Sequence, residues 1–314
     1  MRIGIVTDSS CDLPRSLLDQ HHIVIMPITI HGPQGDFVDS RNPKATLAFY
    51  RDVLSGHEAD VSSSPYSVEQ IRELFLKRLV LEFDYVFCVT VMASRSLIFE
   101  NATHASLRIL SDYRPIREAA GVKTPFSLRV FDSNQLFTGQ GLIVAEVARL
   151  AAAEESSLDI IRHIDTLTRH TQAFLVPAGL SQLRHQARKR GDKSVGFLSY
   201  ALGSALDIKP IVRAYRGDTQ PVTKVRGFEA GCNLLFDKAI TQMQGGLLAP
   251  VVCVSYGGDT AVVESMEGYQ ALLREAAAHK VTVLLSEMGT PAGVNIGAGA
   301  FSLAFAAEHE VRFE

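Results

Sequence analysis

The sequence predicts an α/β protein of two domains. A parallel-sheet N-terminal domain is expected over 1–165, and a mixed-sheet α/β C-terminal domain over 166–314, with room for the tail to pack back on the first. Three observations predict this. The chain has 314 residues, and about 100–200 residues usually make one domain. Its strand-like segments are continuously apolar rather than alternating, as in strands covered on both faces. Helical patterns lie between them, and strand–helix alternation marks the α/β class.

Taken in order, the expected strands are RIGIVT (2–7), HIVIMPI (22–28), YVFCVTV (85–91), LRVFD (128–132), PVVCVSY (250–256) and VTVLLS (281–286). Ser67 and Gln70 have capping-box spacing at the start of the helix VEQIRELFLKRLVLEF. GLIVAEVARLAAAEE (141–155) and SLDIIRHIDTLTRH (157–170) read as successive helices, and EAGCNLLFDKAITQM and VESMEGYQALLREAAAH as two more. Between them ALGSALDIKPIVRAYRGDTQPVTKVRG reads as short strands broken by Pro210 and by a Gly217-Asp218 turn.

Composition narrows the function classes. Apolar content is 46%, charged content 21% and net charge −3, which points away from nucleic acid and anionic membrane surfaces. No apolar run approaches the roughly 20 residues of a membrane span. The short run Ile3 to Val6 is no signal-peptide core, so a cytoplasmic location is expected. Cys11, Cys88, Cys232 and Cys253 are widely separated and form neither a zinc nor a disulfide pattern.

Polar residues gather where strands end. Asp8, Ser9, Ser10, Cys11 and Asp12 follow the first strand, the end at which open α/β sheets bind ligands. Asp12 before Leu13-Pro14 is also placed as a helix N-cap. Ser62, Ser63 and Ser64 precede Pro65 in a polar loop, and Ser94 and Ser96 occupy the turn after YVFCVTV. Hydroxyls at helix starts suit a carboxylate or phosphate, and they also serve as ordinary caps. Gly139-x-Gly141 lacks the third glycine of a dinucleotide fingerprint. No Ser-His-Asp set and no metal-ligand cluster can be assembled from the order of residues alone.

In sequence order these stretches resemble the DegV family, bacterial fatty-acid-binding proteins of two-domain α/β architecture. Thr7-Asp8-Ser9-Ser10-Cys11-Asp12-Leu13-Pro14 matches its T-D-S-x-x-D-L-P turn, and Ser62-Ser63-Ser64-Pro65 stands at its T-S-Q-P. Ser96 through Ala102 stands at S-G-T-Y-Q-x-A without the Gly-Thr. Asp132-Ser133 with Gly139-Gln140-Gly141, then Ile208-Lys209-Pro210-Ile211 and Lys224-Val225-Arg226, follow the family's later runs. Gly293-Val294-Asn295 replaces G-x-H.

The resemblance implies a long-chain fatty acid in a buried apolar tunnel, lined in part by LIFENATHASL and GAGAFSLAF. It places the carboxylate on Ser62, Ser96 and Asn295, where the asparagine keeps a neutral donor and loses the histidine's capacity for charge. Asp8, Ser9, Ser10, Ser63 and Ser94 support that site. The implied role is a carrier presenting the acid to a separate fatty acid kinase, with no catalytic residue, cofactor or metal beyond the bound acid. Two other readings stand beside it. Asp8 with Ser9 or Cys11 suits a small hydrolase or phosphoryl-transfer enzyme. The basic run Arg184, Arg188, Lys189, Arg190 and Lys193 suits a partner, although a solvated helix face explains it more simply.

Overall fold

The computed structural model describes residues 1–54, 60–182, 185 and 207–313. The basic run at 184–193 falls outside them apart from His185. Strand β1 (Ile3–Asp8) lies centrally in a four-stranded sheet with β2 (Val24–Met26), β6 (Tyr85–Thr90) and β7 (Ser127–Asp132), in the order β2-β1-β6-β7. Every pairing in it is parallel, as the continuously apolar strands predict.

The expected strand over 22–28 is in fact two. Pro27 has no N–H for a ladder, so the chain leaves the parallel sheet there. It re-enters as β3 (Ile28–Gly32) of a separate antiparallel sheet, ordered β4-β3-β5 with β4 (Gly35–Asp39) and β5 (Ser62–Ser64). The serine stretch expected as a loop is therefore an edge strand. Helix α1 (Arg15–Gln20) precedes β2, and α2 (Pro43–Asp52) follows β4. Helix α3 (Val68–Leu74) begins with the expected capping box, in which Ser67 accepts from the Gln70 N–H and the Gln70 side chain accepts from the Ser67 N–H. It runs through a π-turn (Phe75–Leu79) into α4 (Val80–Glu82).

After α5 (Ile98–Arg108) and α6 (Tyr113–Ala119), helix α7 (Phe137–Ala152) is buried continuously from Phe137 to Ala148. A helix apolar on all sides belongs in a core, and α7 packs against β1 and β6 on one side and against strands of a second sheet on the other. Its two glycines set the spacing. A Cβ at Gly141 would collide with the Asp12 carbonyl, and one at Gly139 would press on Gln135 and Ala173. The Gly-x-Gly signature is a packing device.

The second sheet has the order β10-β9-β8-β13-β11-β12. Helix α8 (Ser157–His170) leads into β8 (Thr171–Val176), and β9 (Ile208–Tyr215) and β10 (Asp218–Arg226) form a hairpin. Arg216 and Gly217 both have positive φ, 51° and 79°, which suits a two-residue hairpin turn. Pro210 lies within β9, paired with Lys224, rather than breaking it. Helix α9 (Phe228–Gly245), β11 (Val251–Tyr256), α10 (Ala261–Glu264), α11 (Glu267–His279), β12 (Thr282–Glu287), α12 (Thr290–Ile296) and β13 (Phe301–Ala306) complete the chain. Only β11 and β12 pair in parallel in this sheet; the other described pairings are antiparallel.

Candidate functional site

The N-terminal turn is a buried hub. Asp8 Oδ1 accepts the Ser10 N–H at 2.9 Å, while Oδ2 accepts the Val91 N–H at 2.7 Å and the Gln140 amide at 3.0 Å. The Ser9 hydroxyl accepts the Ile28 N–H at 3.0 Å. Asp12 is no helix cap, since α1 starts from Pro14 without a side-chain cap. Instead Asp12 Oδ2 accepts from the Ser255 hydroxyl at 2.7 Å and Oδ1 from the Gly289 N–H at 2.8 Å. Arg41 Nη1 stands 3.4 Å from Asp12 Oδ1, and its Nη2 donates to the Glu287 carbonyl at 2.8 Å. Asp39 takes the Thr290 N–H and hydroxyl at 2.9 and 2.8 Å. Thus Asp8 fixes the loop that carries Ser96. Ser9 fixes β3, on which Ser62 pairs. Asp12 and Asp39 fix the start of α12, which carries Asn295.

Burial raises the Asp8 carboxyl above its usual range, against the bonds from Val91, Ser10 and Gln140. Burial likewise pushes Asp12 up to about 6, opposed by Arg41 and the bonds from Ser255 and Gly289. The Cys11 thiol is driven up by burial and by the Asp8 carboxylate, the reverse of what a reactive thiolate needs. Asp8, Ser9 and Cys11 are all fully buried, so this turn offers no surface to a hydrolytic or phosphoryl substrate.

The three positions expected to hold a carboxylate lie on separate elements whose neighbouring residues share one apolar cluster. Val61 precedes Ser62, Ile98 stands two residues past Ser96, and Val294 and Ile296 flank Asn295; all four are buried in the same cluster. Helix α12 packs on β3 and β5, and the Asn101 amide of α5 donates to the Tyr66 carbonyl beyond β5 at 2.8 Å. Ser96 Oγ accepts the Ile98 N–H at 3.3 Å, and the Asn295 amide donates to the Pro291 carbonyl at 2.6 Å. Asn295 therefore sits in the last turn of α12 rather than near a helix start. Ser94 donates to the Gly217 carbonyl at 2.8 Å, tying this loop to the β9–β10 hairpin. Ser63 alternates to the opposite face of β5 from Ser62. Of the expected tunnel linings, α5 turns Ile98, Ala102 and Ala105 into this cluster. Ala300, just before β13, and Ala304 within it join this cluster, while Phe301, Leu303 and Phe305 go to another.

Sequence order hid a second polar group. Asp36 Oδ1 lies 2.8 Å from His31 Nδ1, and His31 Nε2 lies 2.7 Å from Ser64 Oγ. These residues come from three strands, and only the hairpin HGPQGD, with glycines inside His31 and Asp36, hints at their pairing. Among the described residues there is no group of three or more His, Cys, Asp or Glu side chains able to hold a metal ion. No described helix is long and apolar enough to cross a membrane.

Fold and site together define an α/β protein in which one buried turn braces three polar-tipped elements around an apolar cluster. A family model described as "Uncharacterised protein, DegV family" matches residues 2–308, and the chain belongs to the DegV family. A DegV domain-containing protein of Xanthomonas axonopodis pv. citri is 46% identical over 98% of both chains, and one of Xanthomonas campestris pv. campestris is 45% identical over the same shares. Among solved structures, a DegV family protein of Thermus thermophilus described by its fatty acid binding superposes with TM-score 0.72 at 21% identity, covering 98% of this chain and 100% of that one. DegV of Bacillus subtilis, described as a fatty acid binding protein, superposes with TM-score 0.73 at 20% identity and the same coverage. At such identities the likeness establishes the fold.

Proposed function

We propose that this protein binds a long-chain fatty acid, with the carboxylate held by Ser62, Ser96 and Asn295 and the acyl chain in the apolar cluster they border. Asp8, Ser9, Ser10 and Ser94 support that site from the surrounding turns, and Ser63 supports it from within β5. The protein acts as a lipid carrier in the cytoplasm, presenting the acid to a separate fatty acid kinase. Its units are 1–165 and 166–314, with α12 reaching back from the second toward the first. The observation that carries the reading is that Val61, Ile98, Val294 and Ile296, the close sequence neighbours of Ser62, Ser96 and Asn295, are buried in one apolar cluster, while Ser62 itself is exposed and Ser96 and Asn295 are half-buried at its border. Neighbours of the same fold described as fatty acid binding support it.

The energetics fit a carrier. Each buried CH₂ contributes about 0.8 kcal/mol, so the chain supplies most of the affinity. Neutral hydroxyl and amide donors orient the carboxylate and contribute about 1.5–3 kcal/mol for each bond to a charged acceptor. The test is solvent extraction of the purified protein followed by mass spectrometry, with titration of added fatty acids. A stoichiometric long-chain acid is expected, and the double variant Ser62→Ala/Ser96→Ala should bind at least about tenfold more weakly. No extracted acid and no uptake would sink the reading.

A further inference from the structure

We propose that Asp36, His31 and Ser64 form a hydrolytic triad that cleaves long-chain acyl esters or thioesters and so releases the fatty acid beside its carrier site. The acyl substrate class rests on the fatty-acid reading above; the triad rests on its own geometry.

Strand β3 presents His31 directly opposite Asp36 of β4 and directly opposite Ser62 of β5. Residues in direct register share a face, and Ser64, two residues along β5, shares it too. The side chains therefore form a row across the sheet, with His31 bonded on both sides at 2.8 and 2.7 Å. A carboxylate only accepts hydrogen bonds. The proton of a neutral imidazole therefore lies on Nδ1, which donates to Asp36. The lone pair lies on Nε2 and accepts the Ser64 hydroxyl. This is the tautomer and orientation a serine nucleophile requires. The His31 and Asp36 side chains are 42% and 62% exposed, which leaves the row open to substrate and water. Ser62 lies on the same face, roughly 7 Å along the strand from the nucleophile. Among the described residues β5 pairs with β3 alone in its sheet, and the backbone N–H groups of such an edge strand are the proposed donors to the developing oxyanion.

In the first step Ser64 Oγ attacks the acyl carbonyl carbon as its proton passes to His31 Nε2. The bond to the alcohol or thiol breaks, and the leaving group takes that proton. Water then attacks the acyl-serine, again losing a proton to His31. The free acid departs and Ser64 regains its hydrogen.

The test uses the full-length protein, p-nitrophenyl dodecanoate as substrate and an alkyl fluorophosphonate as serine probe. Ester turnover is expected, together with a single phosphonylation mapped to Ser64 by peptide mass spectrometry. Ser64→Ala should abolish both. Asp36→Asn, on the exposed hairpin and therefore safe for folding, should lower turnover by about 100-fold or more, the scale of general-base assistance. Fatty-acid binding is titrated on the same wild-type preparation. Bound acid without turnover or labelling overturns the triad and leaves the carrier reading standing. Turnover and labelling without bound acid uphold the triad and overturn the carrier reading. Labelling that persists in Ser64→Ala overturns the triad.

Discussion

Two polar clusters of similar composition have opposite fates in this molecule. The N-terminal hub combines Asp8, Ser9 and Asp12 with Arg41 and Asp39, and every one of these is buried. The row on the small sheet combines Asp36, His31 and Ser64, and it faces solvent. In the hub, Asp8 Oδ1 closes its own turn on the Ser10 N–H, while Asp8 Oδ2 and both oxygens of Asp12 hold donors belonging to other segments. In the row, the bonds join side chains to one another and leave the backbone to the ladder. A buried polar group must be satisfied or it costs stability, so the hub is committed to the fold. The exposed row is under no such obligation and is available for chemistry.

The sharpest way to break this comparison is Asp12→Ala. It removes the acceptor for Ser255 and Gly289 and leaves Arg41 buried beside an uncompensated gap. Breaking one half of a buried ion pair costs about 3–5 kcal/mol, and denaturant unfolding should register a loss of that size. A loss below about 1 kcal/mol would mean that the hub is not what binds the two sheets' polar ends together.

The next effect is a pH dependence of the hub. Asp12 is raised from 3.8 to about 6 in the folded state. Between 3.8 and about 6 the folded protein therefore holds a proton that the unfolded chain has already released. Asp12's contribution to stability is complete below the unfolded value and is lost as pH rises through about 6. The span of about 2 units corresponds to about 3 kcal/mol. The buried Asp8, also raised, acts with the same sign. Unfolding free energies of wild type and Asp12→Asn, compared between about pH 4 and pH 7, should diverge as pH falls, with wild type gaining relative to the variant. Parallel curves would show that Asp12 titrates alike in both states.

The fold was more legible in the sequence than the site, for physical reasons. Strand–helix alternation, the two-sided apolar strands and the Ser67 capping box are local patterns, and they survive into the structure. Pro27 misleads because a run such as HIVIMPI carries the apolar content of one strand, while the missing N–H moves its second half into another sheet. The hub was half visible. Asp8 and Ser9 stand out at a strand end, but Asp12 looks like a cap until Ser255 and Gly289, more than 200 residues away, arrive beside it. Arg41, with φ of 59° and fully buried, carries no sequence signal at all. The row was invisible for the same reason: cross-strand pairing of His31 with Asp36 and Ser64 depends on register, which the tertiary fold sets.

The smallest expected effect is on the other side of the comparison. Asp36→Ala removes one partner of His31 at a hairpin tip where 62% of the aspartate side chain is exposed. Solvent replaces the lost bond at once, and exposed pairs contribute only about 0–1 kcal/mol. The unfolding midpoint should therefore barely move, by far less than for Asp12→Ala, although both substitutions delete one carboxylate from a hydrogen-bonded cluster. A loss comparable to that of Asp12→Ala would mean that the row braces β3 against β4 and β5, as the hub braces the larger sheets. Near-neutral stability has the opposite consequence. The alignment of His31 then contributes little to folding, and ester turnover in the same variant becomes the measurement that shows what the alignment does.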